Sequence, residues 1–443
     1  MARGTRGSGF PDKRNKYENC SITKAIITSN VDGSEVDLRK CVDCQYSESL
    51  FSDTIEVTYL ISNSGGTING KNLLEGLPLV GTEDFVLAIT DPLGNTIEVN
   101  LNVNKVTPVT KDTQKEDVLL NLTSEEFIRN EERTASVVKR YDGKISENIE
   151  KIITDNLKTE KELFIQETAN NYNFIGNTRK PLYVINWLAK KSVPSVDGKF
   201  GDTAGYMYFE NADGLHFRSI DSLFAQEHAK SYIYGGQPES SLAYDGEIVN
   251  LFPDNRFVAN EKLRMGIYKT RLVTFNPLNC EYKIIEQDAS ETEEGTTRAG
   301  RELPSLNKKF SSAATRTTYF IKDTGTLPTG GVDEQVKKND QEIFEVERIL
   351  NQAVKRYGQF ATGSVEIDIA PDFTLRAGQT IFIDTSSGDN ESDQETDKQI
   401  GGKYLIGALK HVIRQGKGQT RLGLIRDSVG REGKPHSGSM VNK

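Results

Sequence analysis

The sequence predicts a mostly β fold with some α: two small antiparallel β-barrels flanking a mixed α+β middle region. Three observations carry this. Short alternating or apolar segments separated by turn residues crowd residues 20–115, and the same pattern returns at 360–430. Helical apolar spacing is confined to the stretches between them. The implied organisation is a flexible basic arm (1–19), a first barrel (20–115) and a mixed α+β domain (116–260). A β-containing segment with a mobile loop (261–342), a helix plus second barrel (343–430) and a flexible tail (431–443) complete it.

The elements follow in order. Arg3, Arg6, Lys13, Arg14 and Lys16 are spaced by glycines and a proline, which suits an unstructured arm. Ala25–Ile27, Val36–Leu38, Thr54–Leu60, Phe85–Ile89 and Thr96–Val103 read as strands. Asp32-Gly33, Asn63–Gly66, Asn69-Gly70 and Pro92–Asn95 punctuate them, as turns do in a small barrel. Thr123-Ser124-Glu125-Glu126 fits a capping box, and Ile145, Ile149, Ile152, Ile153 and Leu157 then recur at helical spacing. Pro181 suits a first helical turn, with Val184, Trp187 and Leu188 as a core stripe behind it.

Residues 205–226 form an aromatic hairpin, 231–260 read as irregular, and strands return within 263–287. Residues 288–312, rich in Ser, Thr, Glu and Gly, read as a mobile loop. Ile343, Val346, Leu350, Ala353, Val354 and Tyr357 share one helix face, which Gly358 is placed to end. Val365–Ile369, Ile381–Ile383, Lys403–Ile413 and Thr420–Arg426 supply the second barrel, interrupted by the acidic insertion Ser386–Lys398.

The 443-residue chain carries a net charge of −9, which argues against sequence-independent binding of nucleic acid. No window approaches the ~20 apolar residues of a membrane span, and the N-terminus lacks the apolar run of a signal peptide. The expectation is a soluble protein made in a cytoplasm. Cys41 and Cys44 have metal-ligand spacing, with Cys20 and Cys280 completing a set of four. A strand through Cys41–Cys44 would turn the two side chains to opposite faces, so no metal is expected.

No P-loop, dinucleotide fingerprint, nucleophile elbow or H-E-x-x-H motif occurs. His216, His228, His411 and His436 are scattered. Glu210 and Asp213, beside aromatics, are the one carboxylate pair to weigh for glycoside cleavage. A three-residue Ala212–Gly214 loop would place Phe209 opposite Phe217, Glu210 opposite His216 and Tyr208 opposite Arg218. Asp213 then shapes the turn and Glu210 pairs across the hairpin, so the stretch reads as scaffold. No catalytic, cofactor-binding or metal residue is assigned.

Val365–Ile381, Gly401–Ile413 and Thr420–Ser428 resemble the C-terminal barrel of baseplate central hub proteins of contractile-tailed, T-even-type bacteriophages. Ser219–Phe224 and Glu75–Glu83 resemble the same family, and the likeness spans most of residues 20–430. The resemblance implies a structural virion protein without enzymatic activity or cofactor. It implies a ring-shaped homotrimer whose six small barrels join the six-fold tail tube to the three-fold cell-puncturing spike. The implied partners are the tail spike protein and the tail tube or tube-initiator proteins, with tape measure and baseplate wedge proteins as further neighbours. Nucleic acid and integral membrane contacts are not implied. The implied location is the virion tail baseplate, assembled in the host cytoplasm. The acidic insertion and basic arm depart from shorter members. The alternatives are a phage-type peptidoglycan hydrolase and a carbohydrate-binding adhesin module.

Overall fold

Alternation of apolar and polar residues in the N-terminal segments buries one face of a seven-strand sheet. Its strands are β1 (Ser21–Thr28), β2 (Glu35–Asp37), β3 (Cys41–Ser49), β4 (Glu56–Ser64), β5 (Asp84–Thr90), β6 (Thr96–Lys111) and β7 (Lys115–Thr123), in the order β3-β4-β7-β6-β5-β1-β2. The computed structural model describes residues 18–64, 79–111, 115–196, 199–200, 203–235, 244–253, 259–277, 280–288, 296–304, 307–311, 314–322, 325–326, 331–333, 346–385 and 400–435. The arm (1–17) and the acidic insertion (386–399) lie outside them. The sheet curls far enough for the Tyr59 hydroxyl on β4 to donate to the carbonyl of Leu38, just past β2, at 2.6 Å. Among the described residues, strand pairing does not close this sheet into a barrel.

The middle region begins with α1 (Glu125–Arg129) and α2 (Ile145–Ile152), which runs into a π turn at Ile153–Leu157. Ile145, Ile149, Ile152, Ile153 and Leu157 are all buried, as their spacing requires. The strand β8 (Leu163–Ile165), the helix α3 (Pro181–Ala189, with Pro181 in its first turn), β9 (Tyr206–Asn211), β10 (Gly214–Ser219) and α4 (Ile220–Ala225) follow. Trp187 is partly buried in a core with Tyr172 and Phe174. The capping box is not formed. Ser124 precedes α1, but its hydroxyl is committed to Glu210 instead of the helix.

One barrel does close. It contains β11 (Lys230–Tyr234), β12 (Gly246–Pro253), β16 (Gly363–Ile369), β17 (Thr380–Thr385), β18 (Gly402–Arg414) and β19 (Lys417–Arg426). The pairs β19-β16-β12-β11-β17-β18 complete a six-stranded ring when β18 meets β19. Two strands come from the stretch read as irregular. The barrel is also not purely antiparallel, because β11 runs parallel to both neighbours, β12 and β17. Ile381 pairs with Tyr404 and Phe382 with Lys403 on either side of the insertion.

Strand β18 is long enough to serve two structures. Its first half pairs with β17, and Ala408–Arg414 pair with β3. The N-terminal sheet and the barrel therefore share one hydrophobic core, running from Ile27 and Tyr59 to Ile367 and Leu424. Outside it, β13 (Lys269–Asn276), β14 (Glu281–Asp288) and β15 (Arg316–Ile321) form a separate sheet with β13 central. This sheet packs on α5 (Val346–Gln359), where the Thr270 hydroxyl lies 2.7 Å from Asn351 Oδ1. Gly358 lies inside this helix instead of ending it. Residues 297–302, expected to be loose, are pinned: Thr297 N–H donates to Asp221, Ala299 N–H to Asp427, and Glu302 bridges to Val429. The described start of the expected flexible tail is also held, Arg431 pairing with Asp384 at 2.8 Å. No helix of the described residues is long and apolar enough to cross a membrane.

Candidate functional site

The aromatic hairpin holds the only carboxylate pair that the sequence raised for chemistry. Its register differs from the one that a three-residue Ala212–Gly214 loop would give. Ala212 and Asp213 form a two-residue turn, so Asn211 faces Gly214, Glu210 faces Leu215, Phe209 faces His216 and Tyr208 faces Phe217. Two causes are visible. The Asn211 side chain accepts from the N–H of Asp213 and of Gly214, which shortens the turn. A parallel strand, β8, also docks on β10 and fixes its faces through Leu163–Leu215 and Ile165–Phe217.

Glu210 is buried at the centre of a polar cluster. Its Oε1 accepts from Lys161 Nζ at 2.6 Å; its Oε2 accepts from Ser124 Oγ at 2.6 Å and Ile55 N–H at 3.1 Å. Lys161 Nζ also donates to Glu126 at 2.6 Å. Burial pushes the Glu210 carboxyl up, and Lys161 and Ser124 oppose that rise. Burial likewise disfavours charge on Lys161, but the two carboxylates outweigh it and raise its pKa. Asp213 is elsewhere, paired with Arg376 at 2.9 Å. The two acids therefore do not face a common space. Both oxygens of Glu210 are occupied by protein donors and the residue is 1 % exposed, so it is placed to join segments, not to protonate a substrate.

His216, expected opposite Glu210, instead lies flat between Phe164 and Phe209, with ring centroids at 4.6 and 4.8 Å. Its Nε2 meets Asn211 Oδ1 at 2.8 Å. Burial, with Arg218 nearby, lowers its pKa to about 4, so it is neutral at physiological pH.

The turn is gripped from two sides. Glu48 on β3 accepts from Tyr46 Oη at 2.7 Å, Ala212 N–H at 2.9 Å and Ala377 N–H at 2.7 Å. Asn211 Nδ2 donates to Ala377 O at 3.2 Å. The hairpin thus bolts the N-terminal sheet to the loop that leads into β17, and it sets how the sheet and barrel sit together.

No protein-family model matches the chain, and no curated protein matches its sequence. Solved structures do match its shape. The 43 kDa tail protein of prophage MuSo2 from Shewanella oneidensis superposes with a TM-score of 0.50 at 9% identity, covering 91% of this chain and 98% of that one. The tail protein from Neisseria meningitidis MC58 gives 0.53 at 9% identity, covering 93% and 98%. This chain has the fold of phage tail proteins. The resemblance to baseplate hub proteins read from the sequence and the three-dimensional likeness therefore point the same way.

Within this tail-protein fold the cysteines correct one more expectation. A bulge at Val42 lets Cys41 pair with Ile61 and Cys44 with Tyr59, two positions on one face of β4. The two thiols thus share a face instead of opposing one another. Burial pushes both thiols up, away from the thiolate that a metal requires. No group of three or more His, Cys, Asp or Glu side chains that could hold a metal occurs among the described residues.

Sequence reasoning missed the residues that hold the junction together. Glu48 carried a signal, since it shares the strand parity of Cys44 and Tyr46, both buried. Arg356 carried another, lying seven residues after Ile349 on the buried face of α5. A charge on an apolar face implies a buried partner. The partners themselves, Asp221 and Asp427 for Arg356, lie too far along the chain to be read from spacing.

Proposed function

We propose that this chain is the trimeric central hub of a contractile phage tail, joining the six-fold tail tube to the three-fold cell-puncturing spike. The observation that carries the reading is the tail-protein fold, matched over nearly the whole of two tail proteins. The architecture supports it. A curled seven-strand sheet and a closed six-strand barrel sit side by side through β18, and the buried hairpin holds them rigidly. If the curled sheet acts as the second barrel-like unit, three chains offer six lateral units around one axis. The role is structural. The tube or its initiator binds one face of the ring and the spike the other, with tape measure and wedge proteins as further contacts in the virion baseplate.

Native mass spectrometry after co-expression with the spike tests the stoichiometry: three copies are expected, and a stable dimer overturns the adaptor. Zymography on bacterial cell wall tests the absence of catalysis. Clearing by the purified chain that is lost in Glu210→Gln would establish a hydrolase instead.

A further inference from the structure

A strand at the edge of a sheet offers unpaired N–H and C=O groups, and proteins usually shorten, charge or cover such edges. Two outer strands here follow that rule: β2 is three residues long, and β14 carries Glu281, Lys283, Glu286 and Asp288 among its eight residues. Strand β15 does not. It pairs with β13 over six consecutive residues without a bulge, holds no proline or glycine, and carries one charge, Arg316, at its start. Beyond that ladder, no backbone group of Arg316–Ile321 bonds to another backbone group among the described residues. Lys322 N–H donates to Phe275 O at 2.8 Å, which sets the parity of the parallel ladder. Phe320 likewise turns its N–H and C=O toward β13, and Tyr319 and Ile321 turn theirs away. The Tyr319 and Ile321 side chains, 77% and 68% exposed, extend an apolar face beside Val273 and Phe275.

We infer that the open edge of β15 receives an extended strand from a different protein, which joins the sheet as a fourth strand. The inference goes beyond the hub reading and does not depend on it. The chemistry of the edge selects the occupant. A row of unpaired N–H and C=O groups at strand spacing is matched by another extended backbone. On the side of Tyr319 and Ile321 the added strand continues an apolar face, so its residues there are apolar. Arg316 donates to Met265 O at 3.2 Å and makes no ion pair among the described residues, so an acidic residue opposite it completes the match. Two β15 edges from two copies of this chain would pair about a two-fold axis and bring no acid to Arg316. The β14 edge of a second copy is guarded by the charges along it.

The probe is a fluorescent peptide with glutamate at each end and valine alternating with threonine between, added to the full chain. Fluorescence anisotropy reads its binding, and hydrogen exchange followed by mass spectrometry reads the amides of residues 316–322. The outward amides should exchange at once in the free chain and at least about tenfold more slowly with the peptide bound. Tyr319→Pro removes one outward N–H and spares the inward ladder, because an edge tolerates proline where its nitrogen faces out. It should weaken binding at least about tenfold. Tyr319→Thr keeps the N–H and should bind within about threefold of wild type, which separates backbone pairing from loss of the ring. Melting curves show whether each variant is folded, and the exchange result on the wild-type chain stands without them. Absence of slowed exchange in the wild-type chain overturns the inference, as does equal binding by a folded Tyr319→Pro chain. Slowed exchange that appears without peptide as the protein is concentrated, together with dimers in light scattering, also overturns it and gives the edge to a second copy.

Discussion

Truncating Arg356 should be among the most damaging single changes in the molecule. The guanidinium is 1% exposed and donates to Asp427 Oδ2 at 2.8 Å, Asp221 Oδ1 at 2.9 Å and Thr297 O at 3.1 Å. Burial works against its charge, and the two aspartates outweigh this and raise its pKa. It thereby clamps α5, the start of α4, the end of β19 and the 297–302 segment. Arg356→Ala removes the cation and leaves the fully buried Asp427 facing a void. Losing one partner of such a buried pair costs about 3–5 kcal/mol. The remaining donors to the aspartates, Thr297 N–H, Ala299 N–H and Ser428 Oγ, offset only part of that. Urea unfolding followed by circular dichroism should show the midpoint falling by about 1–2 M. Replacing all three charges, as Arg356→Met with Asp221→Asn and Asp427→Asn, should recover much of the loss, because no charge is then stranded. A midpoint for Arg356→Ala that matches wild type, or a triple variant no better than the single one, refutes this account of the clamp.

Three further outcomes are expected. Gly214→Ala should cost about 2–3 kcal/mol in the same assay, since Gly214 has φ +149° and an added Cβ would lie 2.2 Å from Glu162 O, forcing β8 and β10 apart. His411, buried against Tyr46 and Phe373, has its pKa lowered from 6.5 to about 3 by burial and then Arg376. The unfolded chain therefore binds a proton first, and stability falls as pH drops below about 6.5; at about pH 5 this is worth roughly 2 kcal/mol, a loss that His411→Gln should not show. The raised carboxyls of Glu48 and Glu210 act with the opposite sign, losing stability as pH rises through their window, and they cancel in that comparison. Replacing Ser386–Lys398 with a short Gly-Ser link should leave the melting temperature within a few degrees, because it holds no apolar residue to bury.

What could be read in advance followed from periodicity. The isoleucines of α2 and the Pro181 start of α3 are one-dimensional signals, and the structure places them as expected. The register of the 206–219 hairpin was not readable, because Tyr206, Met207, Tyr208 and Phe209 are apolar on both faces and give no contrast to fix it. Strands β11 and β12 escaped notice because their partners, β17 and β16, lie more than a hundred residues away. The cysteine faces were misjudged because one bulged residue reverses strand parity. The candidate acids could be named from sequence, but their role could not: Lys161, Ser124 and Ile55 reach Glu210 only through the tertiary fold.

Cryo-electron microscopy of the chain co-expressed with its spike and tube protein tests the hub proposal most directly. The expected image is a ring of three subunits in which the residue 20–123 sheet and the residue 230–426 barrel alternate at six matching positions under the tube. A dimer, or a ring in which the sheet and the barrel meet the tube at unlike positions, would contradict it.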